Sequence, residues 1–122
     1  MAKVLLAEDD VPLLRLYCSA LRSEYVVIPA ETAAEAVNAM REERPDLLVI
    51  DLNMPDAPGT AILDYVTSHP DLFDLKVVVI TGFANFRRES LPDVVVDVLH
   101  KPVTTSSLLR VIGEALSTQE TQ

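Results

Sequence analysis

The sequence predicts an α/β domain: a doubly wound, five-stranded parallel sheet with helices on both faces, forming three layers. Three observations predict it. Five short runs rich in Val, Ile and Leu recur along the 122 residues, their interiors are almost continuously apolar, and helical patterns separate them. Apolar runs without alternation suit strands covered on both sides. Strict strand–helix alternation with short connections implies right-handed crossovers and a layered sandwich.

The first strand is predicted over Lys3 to Ala7. A helix follows, with Leu13, Leu16, Tyr17, Ala20 and Leu21 at 3.6-residue spacing and Asp10 placed to cap it ahead of Pro12. Cys18 falls inside that pattern and reads as a small buried side chain. The second strand is expected over Tyr25 to Ile28. Thr32 and Glu35 then stand in capping-box spacing, and Ala33, Ala36, Val37 and Met40 share one helical face. Asp46 to Ile50 form the third strand, running into Asp51. After Gly59 a helix turns Ile62, Leu63 and Val66 inward, with Pro70 beyond its end. Lys76 to Thr81 form the fourth strand.

The stretch "FANFRRESLPDV" allows only a short or irregular fourth helix before Pro92. Val94 to Leu99 form the fifth strand. Leu108, Leu109, Ile112, Ala115 and Leu116 then make the stripe of the last helix. The domain is expected over residues 1–117, with 118–122 a polar tail.

Composition narrows the function. Hydrophobic residues at 49% and charged residues at 24% describe a globular chain with an aliphatic core. A formal charge of −9 opposes direct nucleic-acid binding, which depends on Lys and Arg displacing counterions from phosphates. Acidic residues follow Met1–Ala7 too closely for a secretory signal or a membrane span, so a cytoplasmic location is expected. The single cysteine excludes an internal disulfide and a multi-cysteine metal site.

The chemistry collects where strands end. Glu8 and Asp9 follow the first strand, Asp51 ends the third, Thr81 ends the fourth and Lys101 follows the fifth. In doubly wound sheets, ligands bind beyond the carboxyl ends of the strands. If the order is 2-1-3-4-5, the acidic pair and Asp51 share one cleft. Like charges ~4 Å apart repel by about 4 kcal/mol at an effective dielectric of 20. A hard cation such as Mg²⁺ offsets that repulsion and leaves waters for phosphate oxygens to replace. Lys101 adds a fixed positive charge and Thr81 a hydroxyl. This set suits phosphoryl transfer onto a carboxylate, because an aspartate with a pKa near ~3.9 is already ionised at neutral pH.

The segments "LLAEDD", "VIDLNMPDAPG", "VVITG" and "VLHKP", in this order, resemble the receiver domain of bacterial two-component response regulators over essentially the whole chain. The resemblance implies the flavodoxin-like, CheY-like order 2-1-3-4-5. It implies Asp51 as phosphoacceptor, with Asp9 a direct Mg²⁺ ligand, Glu8 holding the ion largely through water and the Asn53 backbone carbonyl a further ligand. It also implies that Thr81 and Lys101 bind the phosphoryl group and that the Lys101–Pro102 bond is cis. The expected donor is a histidine kinase or histidine phosphotransfer protein, and the downstream protein target is unspecified. A stand-alone, single-domain receiver is expected, a monomer or a phosphorylation-dependent dimer without membrane contact.

Other residues draw simpler readings. Asp10 caps a helix, Asp56 is solvated in its turn, and His69 and His100 take surface or loop positions. Many receivers carry an aromatic residue three before the lysine, and here that position is Val98, which has no ring to swing. Readout is therefore expected from Gly82 to Leu91, offering Phe83, Phe86, Arg87 and Arg88 to a partner. "ITGFA" with "VLHKPV" is similar to receivers of hybrid sensor kinases and to stand-alone CpdR-like regulators.

Three alternatives accompany this reading. A phosphorelay intermediate or phosphate sink uses the same chemistry. A flavodoxin-like nucleotide binder wants a Gly-, Ser- or Thr-rich loop where Glu8-Asp9-Asp10 stands. An aspartyl-phosphate hydrolase wants a second carboxylate at the position of Asn53.

Overall fold

A computed structural model describes residues 1–54, 59–69, 71, 74–82 and 91–120. The elements run β1 (Lys3–Ala7), α1 (Val11–Leu21), β2 (Val26–Ala30), α2 (Ala33–Glu43), β3 (Leu47–Asp51), α3 (Gly59–Ser68), β4 (Lys76–Thr81), β5 (Val95–His100) and α4 (Thr105–Glu120). All neighbouring strands are parallel, in the order β2-β1-β3-β4-β5. The expected short element between β4 and β5 lies largely outside the described residues. No helix among the described residues is long and apolar enough to cross a membrane.

The pleat divides the apolar strands between two cores. Leu5, Leu48, Ile50, Val77 and Val79 face α2 and α3, where Ala36, Met40, Ile62, Leu63 and Val66 meet them. Val4, Leu6, Leu47, Val49, Val78 and Ile80 face α1 and α4, meeting Leu14, Tyr17, Leu21, Leu108 and Ile112. The central strands β1, β3 and β4 are buried almost throughout, while the edge strands β2 and β5 are partly open. This explains the unbroken apolar runs.

Local signals fix several ends. Asp10 accepts from Leu13 N at 3.1 Å, capping α1. Thr32 Oγ1 accepts from Glu35 N at 3.1 Å, while Glu35 reaches back to Glu31 N at 2.9 Å. Arg44 closes α2 in the left-handed region at φ 48, immediately before Pro45.

Three details differ from the sequence reading. The inward face of α1 is Leu14, Tyr17, Cys18 and Leu21, and Leu16 is 54% exposed. Leu13, Leu14 and Leu16 allow two phases of the same period, and only packing on the sheet selects one. Second, β2 continues through Pro29 to Ala30; as an edge strand it tolerates a residue with no N–H. Third, the α4 backbone stays helical to Glu120.

A bulge interrupts the last ladder. Val77 pairs with Val95 but Val78 with Asp97, leaving Val96 as the extra residue. Beyond it Val98 packs with the α2/α3 core and Leu99 with the other.

Candidate functional site

The strand register brings the chemical groups to one rim. Ala7 is opposite Ile50, Asp51 opposite Ile80 and Thr81 opposite His100, so the carboxyl ends of β1, β3, β4 and β5 are level. Glu8 prolongs β1 by donating its N–H to Ala30 O at 3.0 Å. Lys101 prolongs β5 by donating its N–H to Thr81 O at 2.8 Å. Both residues are therefore held by the sheet rather than by free loops.

Glu8, Asp51 and Thr81 are the buried polar residues here, at 3%, 1% and 0% exposure. One carboxylate oxygen from each of Glu8, Asp9 and Asp51 lies within 4.8 Å of the others, and Asp9 remains open to solvent. Lys101 Nζ donates to Asp51 Oδ2 at 2.7 Å, and Asn53 N donates to Asp51 Oδ1 at 2.9 Å. Each oxygen of Asp51 thus accepts a hydrogen bond. Gly82 borders the site, and a Cβ there would lie 4.0 Å from Asn53 Nδ2 and Lys101 Cδ, at ordinary contact distance.

The electrostatics divide the carboxylates. Burial, then the hydrogen bond and charge of Asp51, push the Glu8 carboxyl up to about 9, with Lys101 opposing. Burial would also raise Asp51, yet hydrogen bonds from Glu8, Lys101 and Asn53 hold it below the usual carboxylate range. Burial would lower Lys101, but the hydrogen bond and charge of Asp51 keep its ammonium above the ordinary value. Asp51 and Lys101 are an ion pair, with the Glu8 carboxyl beside it shifted toward its protonated form.

Glu8 Oε2 is buried without a hydrogen-bond partner. An orphaned oxygen beside two further carboxylates fits a hard divalent cation, and the donor set contains no imidazole or thiolate to favour zinc. Mg²⁺ matches an all-oxygen set that is open to water at Asp9.

The remaining candidate residues take varied places. Asn53 is exposed, with its N–H committed to Asp51. The Lys101–Pro102 bond is cis. Val98 is half-buried against the α2/α3 core. His69 stacks on Tyr65 with ring centroids 3.9 Å apart, and His100 ends β5 at the surface. Phe83, Phe86, Arg87, Arg88, Asp56 and Pro70 lie outside the described residues. Sequence reasoning placed Tyr17 in the core and missed its hydroxyl, which donates to Val103 O at 2.8 Å. The available signal was a phenol among leucines, since a buried Tyr O–H needs a partner.

Comparison with known proteins agrees with this geometry. The chain is 31% identical over 123 residues to the transcriptional regulatory protein GlrR of Escherichia coli K12, covering 94% of this chain and 26% of GlrR. It therefore spans about a quarter of that relative's length. It is 28% identical over 82 residues to the polar-differentiation response regulator DivK of Brucella anthropi, covering 66% of this chain and 67% of DivK. A CheY-like receiver domain structure from Methanospirillum hungatei superposes with a TM-score of 0.88 at 29% identity, covering 99% of this chain and 98% of that one. The family model described as the response regulator receiver domain matches residues 4–113. With that match over a parallel 2-1-3-4-5 sheet whose acidic rim meets a lysine, the chain belongs to the response regulator receiver domain family.

Proposed function

We propose that this receiver accepts a phosphoryl group on Asp51 from the phosphohistidine of a histidine kinase or phosphotransfer protein and signals by contact with a downstream protein. The carrying observation is Asp51 itself: buried, and held at both oxygens by Lys101 and Asn53 N, hydrogen bonds that keep its carboxyl below the usual range. An ionised carboxylate is a nucleophile without a general base. Its oxygen attacks phosphorus as the P–N bond of the donor breaks, and the bonding pair returns to the imidazole. Lys101 follows the charge from Asp51 onto the phosphoryl oxygens, and the Thr81 hydroxyl donates a further hydrogen bond.

Glu8, Asp9, Asp51 and the Asn53 carbonyl would hold Mg²⁺. When bound, that ion neutralises the acidic rim and the charge on the transferred group. Glu8 and Asp9 stand where a flavin phosphate would need amide donors, which disfavours the nucleotide-binding alternative. Asn53 lacks the carboxylate that a hydrolytic cycle would use.

Intact-mass measurement after incubation with Mg²⁺ and acetyl phosphate tests the proposal. The parent should gain one phosphoryl group and Asp51→Asn none. Modification retained in the variant would displace Asp51 from its role.

A further inference from the structure

Tyr17 lies on the buried face of α1, 2% exposed, yet its hydroxyl leaves the apolar core. It donates to the backbone carbonyl of Val103 at 2.8 Å, 86 residues away in sequence. Val103 lies two residues past Lys101 across the cis Lys101–Pro102 bond. It also immediately precedes Thr104, whose Oγ1 accepts from Ser107 N at 3.1 Å and whose carbonyl accepts from Leu108 N at 3.0 Å to open α4.

The segment from Lys101 to Thr104 is therefore held at three points: Lys101 N on Thr81 O, Tyr17 Oη on Val103 O, and the start of α4. Its only long side chain is Lys101, which reaches Asp51. Phenylalanine would fill the core at position 17 equally well, so the hydroxyl adds something packing does not require. Burial, then the charge of Glu8, raises the Tyr17 hydroxyl above its ordinary value.

We infer that Tyr17 is a positioning residue for phosphoryl transfer to Asp51, tying α1 to the segment that aims Lys101 at the incoming phosphoryl oxygens. The inference rests on the function proposed above. With acetyl phosphate as donor, the P–O bond to acetate breaks as the bond from an Asp51 oxygen to phosphorus forms, and acetate leaves with the bonding pair. Lys101 must meet the phosphoryl oxygens during that exchange. An ammonium displaced by a fraction of an ångström stabilises the developing charge less well.

The test compares the parent with Tyr17→Phe and, as a control for packing, Cys18→Ala. Cys18 is the adjacent buried residue of α1 and packs in the same apolar core. Phosphorylation by acetyl phosphate is followed by intact mass at saturating Mg²⁺, well below each variant's unfolding transition, and the Mg²⁺ dissociation constant is measured separately. Tyr17→Phe should slow maximal phosphorylation about fivefold, the effect of one hydrogen bond, while Mg²⁺ affinity stays within about twofold. Cys18→Ala should lower the unfolding temperature and leave the rate unchanged. An unaltered rate in Tyr17→Phe would overturn the inference, as would equal slowing in both variants. If the parent itself gains no phosphoryl group, it is the proposed function that fails.

Discussion

Lys101 Nζ sits 2.7 Å from Asp51 Oδ2, a contact that reaches across the end of β4 between strands that are not neighbours. The acid is almost wholly buried, and the lysine side chain is 34% exposed. The pair therefore joins a rigid carboxylate to a cation that can follow charge outward.

Lys101→Met should destabilise the metal-free protein by about 2 kcal/mol. Stranding a buried charge costs roughly 3–5 kcal/mol, and the partial exposure of the lysine reduces that figure. Urea denaturation in EDTA measures it through the midpoint at constant slope. A variant as stable as the parent would mean that desolvation already cancels the attraction.

Glu8 makes metal-free stability fall with rising pH. Its folded-state pKa of about 9 lies above the ordinary 4.5, so the folded protein keeps a proton that the unfolded chain has released. The stability contributed by that proton is complete below about pH 4.5 and lost as pH rises through about 9. Glu8→Gln has no such proton. Its melting temperature in EDTA should exceed the parent's increasingly from pH 5 to 9, by about 3–6 °C if the difference reaches roughly 1 kcal/mol. Millimolar Mg²⁺ should close the gap by stabilising the parent more. Parallel melting profiles without metal would contradict the assignment.

Neighbouring leucines on α1 should respond in opposite ways. Leu14→Ala removes a side chain that is 4% exposed and should cost about 2–4 kcal/mol. Leu16→Ala, at 54% exposure, should stay within about 0.5 kcal/mol. Denaturant midpoints of the two variants decide which helical phase faces the sheet.

Much of this was legible in the chain because the strand signals are local. Val, Ile and Leu runs that stop at Asp51 and Thr81, or just before Glu8 and Lys101, mark both the strands and the rim, since doubly wound sheets align their carboxyl ends. The caps at Asp10 and Thr32 were equally local. What escaped depends on contacts distant in sequence. The phase of α1 could not be chosen among Leu13, Leu14 and Leu16 without knowing where the sheet lies. The Tyr17 hydroxyl finds its acceptor only after the whole chain has wound back. The orphaned Glu8 oxygen likewise exists only once burial has removed water from it.

The extra residue at Val96 gives the entry to β5 a tolerance for changes of length. On either side of it, Val95 and Asp97 pair with the consecutive residues Val77 and Val78. An evolutionary deletion of Val96 would straighten the ladder and leave Lys101 next to its partners. The same deletion between Val98 and His100 would rotate the lysine to the wrong face of the pleat. Insertions and deletions in this lineage should therefore collect upstream of Asp97, leaving the final four residues of the strand at constant length.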